Sequence, residues 1–89
     1  MKIQVQYWNQ LRSARGLNEE AVLLKEGATL NDLLLHIGQQ AELQSMLFDS
    51  EGGLSPWILI DCAGTMVRDP TLPLSDGLEV QLLTHISGG

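Results

Sequence analysis

The side chains of this 89-residue chain that could do chemistry are two histidines, one cysteine and eleven carboxylates. His36 and His85 have no second ligand at metal-binding spacing, and Cys62, being alone, permits no internal disulfide, zinc cluster or iron–sulfur cage. Cys62 shares the strand phase of Ile58 and Ile60, so it is expected to be buried and unreactive. Asp61 and Asp69 make no acid–base pair, and Gly52-Gly53 lacks the following lysine and helix start of a phosphate loop. The pair Gly88-Gly89, which closes the sequence, is different. At ordinary glycine usage two final glycines arise by chance in roughly one chain in 200. Without Cβ atoms the pair makes a thin, flexible thread that can pass down a narrow channel into another protein's active site. Gly88 would give that thread its flexibility, and the group delivered would be the α-carboxylate of Gly89. A carboxylate is a poor acyl donor until it is activated, which an ATP-using partner could do by forming an acyl-adenylate. The plain alternative is a frayed chain end.

A thread of this kind needs a domain to carry it. Lys2 to Trp8 alternate, with Ile3, Val5 and Tyr7 on one side and Lys2, Gln4, Gln6 and Trp8 on the other, the period of a half-buried strand. Residues 9–19 are polar and read as a connection to a second short strand, Ala21 to Lys25. Thr29 is a good N-cap, with Asp32 three residues on, and Leu30, Leu33, Leu34 and Ile37 follow at helical spacing; Gly38 stops the helix as a C′ residue would. Ala41 to Phe48 reads as a short second helix and Asp49 to Pro56 as a loop. Trp57 to Cys62 and Leu78 to Ile86 are strands, with Met66 to Arg68 returning antiparallel between them. The order implies an α+β domain over residues 1–86, a β-grasp with one main helix across a mixed sheet, followed by a mobile tail over 87–89.

Length and composition agree. A second domain would leave neither half able to bury a core, and with 44% apolar and 18% charged residues the chain has a globular composition. A domain this small leaves little room for a deep catalytic cleft. The net charge of −6 makes nucleic acid a poor partner, and no stretch approaches the ~20 apolar residues that span a bilayer. With no signal-peptide pattern, the expected location is cytoplasmic. From Glu26 to Val67 there are six acids and no Lys or Arg, which reads either as a solvated face or as steering toward a basic partner.

The strand phases also imply a docking face. Leu78, Val80, Leu82, Thr84 and Ile86 share one phase, which belongs under the helix, and Leu83 falls on the other side. If Ile58 and Ile60 face inward, Leu59 and Trp57 face outward with Asp61, and Trp8 is out of phase with the core of the first strand. A β-grasp sheet sets strands one and three on either side of the last. Trp8, Leu59 and Leu83 would then form one exposed apolar patch leading to the tail.

Four stretches carry a resemblance: Tyr7-Trp8-Asn9-Gln10-Leu11-Arg12, Glu26-Gly27-Ala28-Thr29-Leu30-Asn31-Asp32-Leu33-Leu34, Leu74-Ser75-Asp76-Gly77-Leu78-Glu79-Val80 and Ile86-Ser87-Gly88-Gly89. Spread over the length of the chain, they resemble the MoaD/ThiS family of ubiquitin-like sulfur carriers, closest to the small subunit of molybdopterin synthase. Leu78 stands where that family usually has a second acid, and Thr84-His85 where the molybdopterin branch often has Pro-Pro. The resemblance implies two partners, an E1-like adenylating enzyme and the large subunit of molybdopterin synthase. Arg12 and Ser87, within the matching stretches, join Trp8, Leu59 and Leu83 as partner-binding residues. It implies a cycle in which Gly89 is adenylated with the partner's ATP, converted to a thiocarboxylate, and used to sulfurate cyclic pyranopterin monophosphate, with no cofactor or metal bound to this chain. Carriers for thiazole, cysteine, tRNA thiolation or protein conjugation share the fold, and an adaptor with an unreactive tail is the non-catalytic alternative.

Overall fold

The computed structural model describes residues 1–84. Its eight elements are β1 (Lys2–Tyr7), α1 (Asn9–Arg15), β2 (Glu19–Leu23), α2 (Leu30–Ile37), α3 (Ala41–Leu47), β3 (Ile58–Cys62), β4 (Thr65–Val67) and β5 (Glu79–Thr84). The strands form one sheet in the order β2-β1-β5-β3-β4, parallel only between β1 and β5. This is the β-grasp arrangement, with β1 and β3 flanking the last strand as the sequence implied.

Alternation decides which face is covered. Ile3, Val5, Tyr7, Val22, Ile58, Ile60, Val80 and Leu82 point to one side and are buried with Leu30, Leu33, Leu34 and Ile37 of α2 and Leu43 and Leu47 of α3. Each such side chain contributes roughly 1.5–3 kcal/mol of transfer free energy when fully buried. Cys62 lies at the edge of this core in the expected phase, and burial pushes its thiol pKa up, with Asp61 adding to the shift. Thr29 caps α2 as expected: its Oγ1 accepts from the Asp32 N–H at 3.4 Å, while the Asp32 carboxylate accepts from the Thr29 N–H at 2.8 Å.

Two expectations are corrected and a third, that Gly38 stops α2, holds with a different backbone conformation. Residues 9–15 are helical, although the sequence read them as a connection. This helix buries only Leu11, so it has no apolar period to detect; Gly16 ends it at φ +79° and Arg12 and Arg15 lie in its last turn. The second strand runs from Glu19 to Leu23, two residues earlier than Ala21 to Lys25, a shift that preserves the phase and keeps Val22 inside. Gly38 has φ −72°, so its role is not left-handed termination. A Cβ there would lie 3.1 Å from the Leu34 carbonyl oxygen and 3.3 Å from the Phe48 ring, and the glycine instead allows α2 and α3 to meet closely.

At the end of the described chain, β5 runs from Glu79 to Thr84, with Leu78 half-buried before it. The expected continuation to Ile86, the tail over 87–89 and the site residues Ser87, Gly88 and Gly89 lie outside the described residues. Among the described residues, no helix is long and apolar enough to cross a membrane.

Candidate functional site

The sheet face turned away from α2 changes character along β5. Its cross-strand rows follow from the register. Ala21, Gln4 and Glu79 lie side by side, then Glu19, Gln6, Gln81, Asp61 and Met66. The next row pairs Leu83 with Leu59. Trp8 follows β1 at this same level and extends its pairing with β5, its N–H donating to the Leu82 carbonyl at 3.0 Å. The outer face is thus polar where β5 begins and apolar where it ends.

Of the three patch residues, Trp8 is 41% exposed, whereas Leu59 and Leu83 are half-buried beside each other on adjacent strands. The structure therefore brings them to one end of the sheet, as an apolar floor with a tryptophan standing at its side. Two further large apolar residues of this part of the chain are exposed. Trp57, just before β3, is 60% exposed, and Met66 on β4 is 53% exposed. Trp57 was legible in the outward phase of Leu59. Met66 depends on the short return strand, whose register only the fold supplies.

Arg12 is half-buried and braces Trp8. Its guanidinium carbon lies 4.9 Å from the Trp8 ring centroid and its Nε donates to the Tyr7 carbonyl at 3.1 Å, while Trp8 Nε1 donates to Gln81 Oε1 at 3.1 Å. At the other side of the rim, Arg68 donates to the carbonyls of Ile58 at 2.9 Å and Ser55 at 3.3 Å. Both arginines thus serve backbone carbonyls near the end of β5.

Helix α1, which the sequence reading missed, is what turns residues 9–12 toward that end. Thr84 Oγ1 donates to Gln10 Oε1 at 2.6 Å, and Asn9 Nδ2 reaches the Thr84 carbonyl at 3.5 Å. The other end of the helix is tied down independently. Arg15 donates from Nε and Nη2 to the Glu20 carboxylate at 2.7 and 2.9 Å and from Nη1 to Gln40 at 2.8 Å, and the Tyr7 hydroxyl donates to the same carboxylate. The Arg15 hydrogen bond holds Glu20 below its ordinary pKa, and burial, with the Glu20 carboxylate beside it, pushes the Tyr7 phenol well above its own.

Nothing in this region is a catalytic constellation. Among the described residues, no group of three or more His, Cys, Asp or Glu side chains could hold a metal. A hollow of about 630 Å³ opens on the helix side between Leu35 and Phe48. Its one carboxylate, Asp49, accepts the N–H groups of Glu51 and Gly53. What the domain offers at the end of β5 is a partly exposed apolar surface, followed in sequence by the last five residues.

The fold is shared with solved structures. The crystal structure of SAMP1 from Haloferax volcanii superposes with a TM-score of 0.90, at 23% identity and with 100% of both chains covered. The small archaeal modifier protein 1 of Methanosarcina acetivorans is similar at a TM-score of 0.80 and 26% identity, over 99% of this chain and 96% of that one. A Pyrococcus furiosus protein named as molybdopterin converting factor, subunit 1, has a TM-score of 0.78 and 24% identity, over 97% of this chain and 99% of that one. No curated protein matches the chain by sequence. The model of the ThiS family matches residues 5–89, nearly the whole sequence. With the β-grasp sheet, the chain thus belongs to the ThiS/MoaD family of ubiquitin-like sulfur carriers.

Proposed function

We propose that the chain is the sulfur-donating small subunit of molybdopterin synthase, and that Gly89 is its reacting residue. The observation that carries this reading is the position of Gly88-Gly89, four and five residues after Thr84 of β5, a strand whose outer face is apolar at that end. An E1-like adenylating enzyme would bind the rim of Trp8, Leu59 and Leu83 and receive the tail. The Gly89 carboxylate then attacks the α-phosphorus of ATP, pyrophosphate leaves, and an acyl-adenylate remains. The terminal sulfur of a persulfide attacks the acyl carbon and AMP leaves. A second thiol then cleaves the S–S bond, forming a disulfide with the donor and releasing the thiocarboxylate. The large synthase subunit would bind the same rim and pass the sulfur to cyclic pyranopterin monophosphate. In this reading the chain holds no cofactor, and Arg12 and Ser87 assist partner binding.

The name of the Pyrococcus neighbour fits this pathway. The names of the two modifier proteins favour a second reading, in which the activated glycine is joined to proteins. Co-expression with the adenylating enzyme, followed by intact mass measurement, tests the shared chemistry. The expected gain is the mass difference between sulfur and oxygen, absent when Gly89 is deleted; an unchanged mass overturns the carrier reading and leaves the adaptor. Reconstitution of the loaded chain with the large subunit and cyclic pyranopterin monophosphate separates the pathways. A dithiolene product is expected, and lysine conjugates without dithiolene would overturn the molybdopterin assignment.

A further inference from the structure

Thr84 ends β5, and the chain has five residues beyond it, able to span about 17 Å when fully extended. How far the Gly89 carboxylate can reach is therefore bounded by where Thr84, the last described residue of β5, is held. A strand end held only by its ladder frays. Here a second hold comes from residues more than seventy positions away in sequence. The Thr84 hydroxyl donates to Gln10 Oε1 at 2.6 Å, and Asn9 Nδ2 approaches the Thr84 carbonyl at 3.5 Å. Asn9 adopts φ +54°, a left-handed conformation that costs a non-glycine residue energy and that asparagine tolerates better than most. That turn carries the chain from β1 into α1. Asn9 and Gln10 are both exposed, so neither is there to fill the core.

We propose that Asn9 and Gln10 are positioning residues that latch Thr84, fixing the position five residues before the reactive Gly89. The latch acts before any partner binds. With Thr84 held, fewer residues must be ordered when the reactive glycine enters an active site, so the latch favours reaction over mere docking. It is distinct from the apolar rim, which supplies affinity, and it rests on the reading that the Gly89 carboxylate is the reacting group.

The test compares Thr84→Val, which keeps the branched shape and loses the hydroxyl, with Thr84→Ser, which restores it, and with Gln10→Ala and the Thr84→Val/Gln10→Ala double variant. In the free protein, hydrogen exchange at the Leu83 and Thr84 amides is expected to be about fivefold faster in Thr84→Val and in Gln10→Ala, the size of one lost hydrogen bond. Thr84→Ser should exchange as the parent does, and the double variant no faster than either single one. With the adenylating enzyme and ATP, kcat should fall about fivefold in the same variants while the dissociation constant is unchanged. Unchanged exchange in Thr84→Val, or additive effects in the double variant, would overturn the latch. Faster exchange with an unchanged kcat, or a loss confined to affinity, would overturn its positioning role. Failure of the parent chain to be adenylated would sink the reading of Gly89 instead, and the exchange rates would still decide whether the latch exists.

Discussion

Within β5, Leu82 is fully buried beneath the helices, whereas Leu83 lies half-buried on the outer face opposite Leu59. One residue of sequence thus separates a core position from the proposed binding position. Leu82→Glu would place a carboxylate among apolar side chains with no partner, at a cost of about 3–5 kcal/mol. That is comparable to the whole stability of a small domain, so Leu82→Glu is expected to unfold the protein. Leu83→Glu can turn its charge to water. It is expected to leave the melting temperature within a few degrees of the parent while weakening partner binding by about 2–4 kcal/mol, roughly 30- to 1,000-fold. Circular dichroism melts and titration calorimetry against the adenylating enzyme check both halves. A folded Leu82→Glu beside an unfolded Leu83→Glu would invert the face assignment.

Among the elements, α1 joins the sheet to the helices through charge. Its Arg15 is held by Glu20 of β2, and Gln40, just before α3, accepts from Arg15 and donates to the Ala14 carbonyl at 2.7 Å. Because the folded pKa of Glu20 lies below its ordinary 4.5, the carboxylate stabilises the native state fully above that value and loses its contribution as pH falls through the folded pKa. Glu20→Gln is therefore expected to cost about 1–2 kcal/mol at neutral pH and progressively less below about pH 4. Urea unfolding of both proteins at neutral and acidic pH measures the difference, and a constant gap would show that Glu20 acts through packing alone. The same helix marks how far the sequence could be read. Helix α2 was legible because four apolar residues recur at helical spacing behind a capping threonine, and β1, β3 and β5 because alternation is strict. Helix α1 was not, because one buried leucine makes no period and its remaining contacts, to Tyr7, Glu20, Gln40 and Thr84, are made with residues that folding brings near. The rim was legible in Trp8, Leu59 and Leu83 because phase fixes a face. Gln10 and Thr84 were not, since nothing local tells a surface glutamine that it will meet a threonine 74 positions on.

Across the whole molecule, most of the acidic stretch and the apolar rim are set apart. Of the six acids between Glu26 and Val67, only Asp61 belongs to the outer sheet face; Asp32 and Glu42 are on α2 and α3, and Asp49 and Glu51 follow α3. The apolar rim is flanked by Arg12 and Arg68, each hydrogen-bonded to backbone carbonyls. In the proposed reading the net charge of −6 would therefore act on a basic partner mainly at a distance, while the bound complex would rest on apolar contact and the inserted chain end. Salt should separate the two contributions, because long-range attraction is screened beyond a Debye length, about 10 Å at 0.1 M, and close apolar contact is not. Raising ionic strength from about 0.05 to 0.5 M is expected to slow association with the adenylating enzyme severalfold and to leave dissociation nearly unchanged. Stopped-flow measurement of both rates decides the matter. A salt-independent association rate would reduce the acidic stretch to a solvated face. A salt effect confined to dissociation would place ion pairs inside the interface, where the guanidinium groups of Arg12 and Arg68 would be the ones exchanging carbonyl partners for carboxylates.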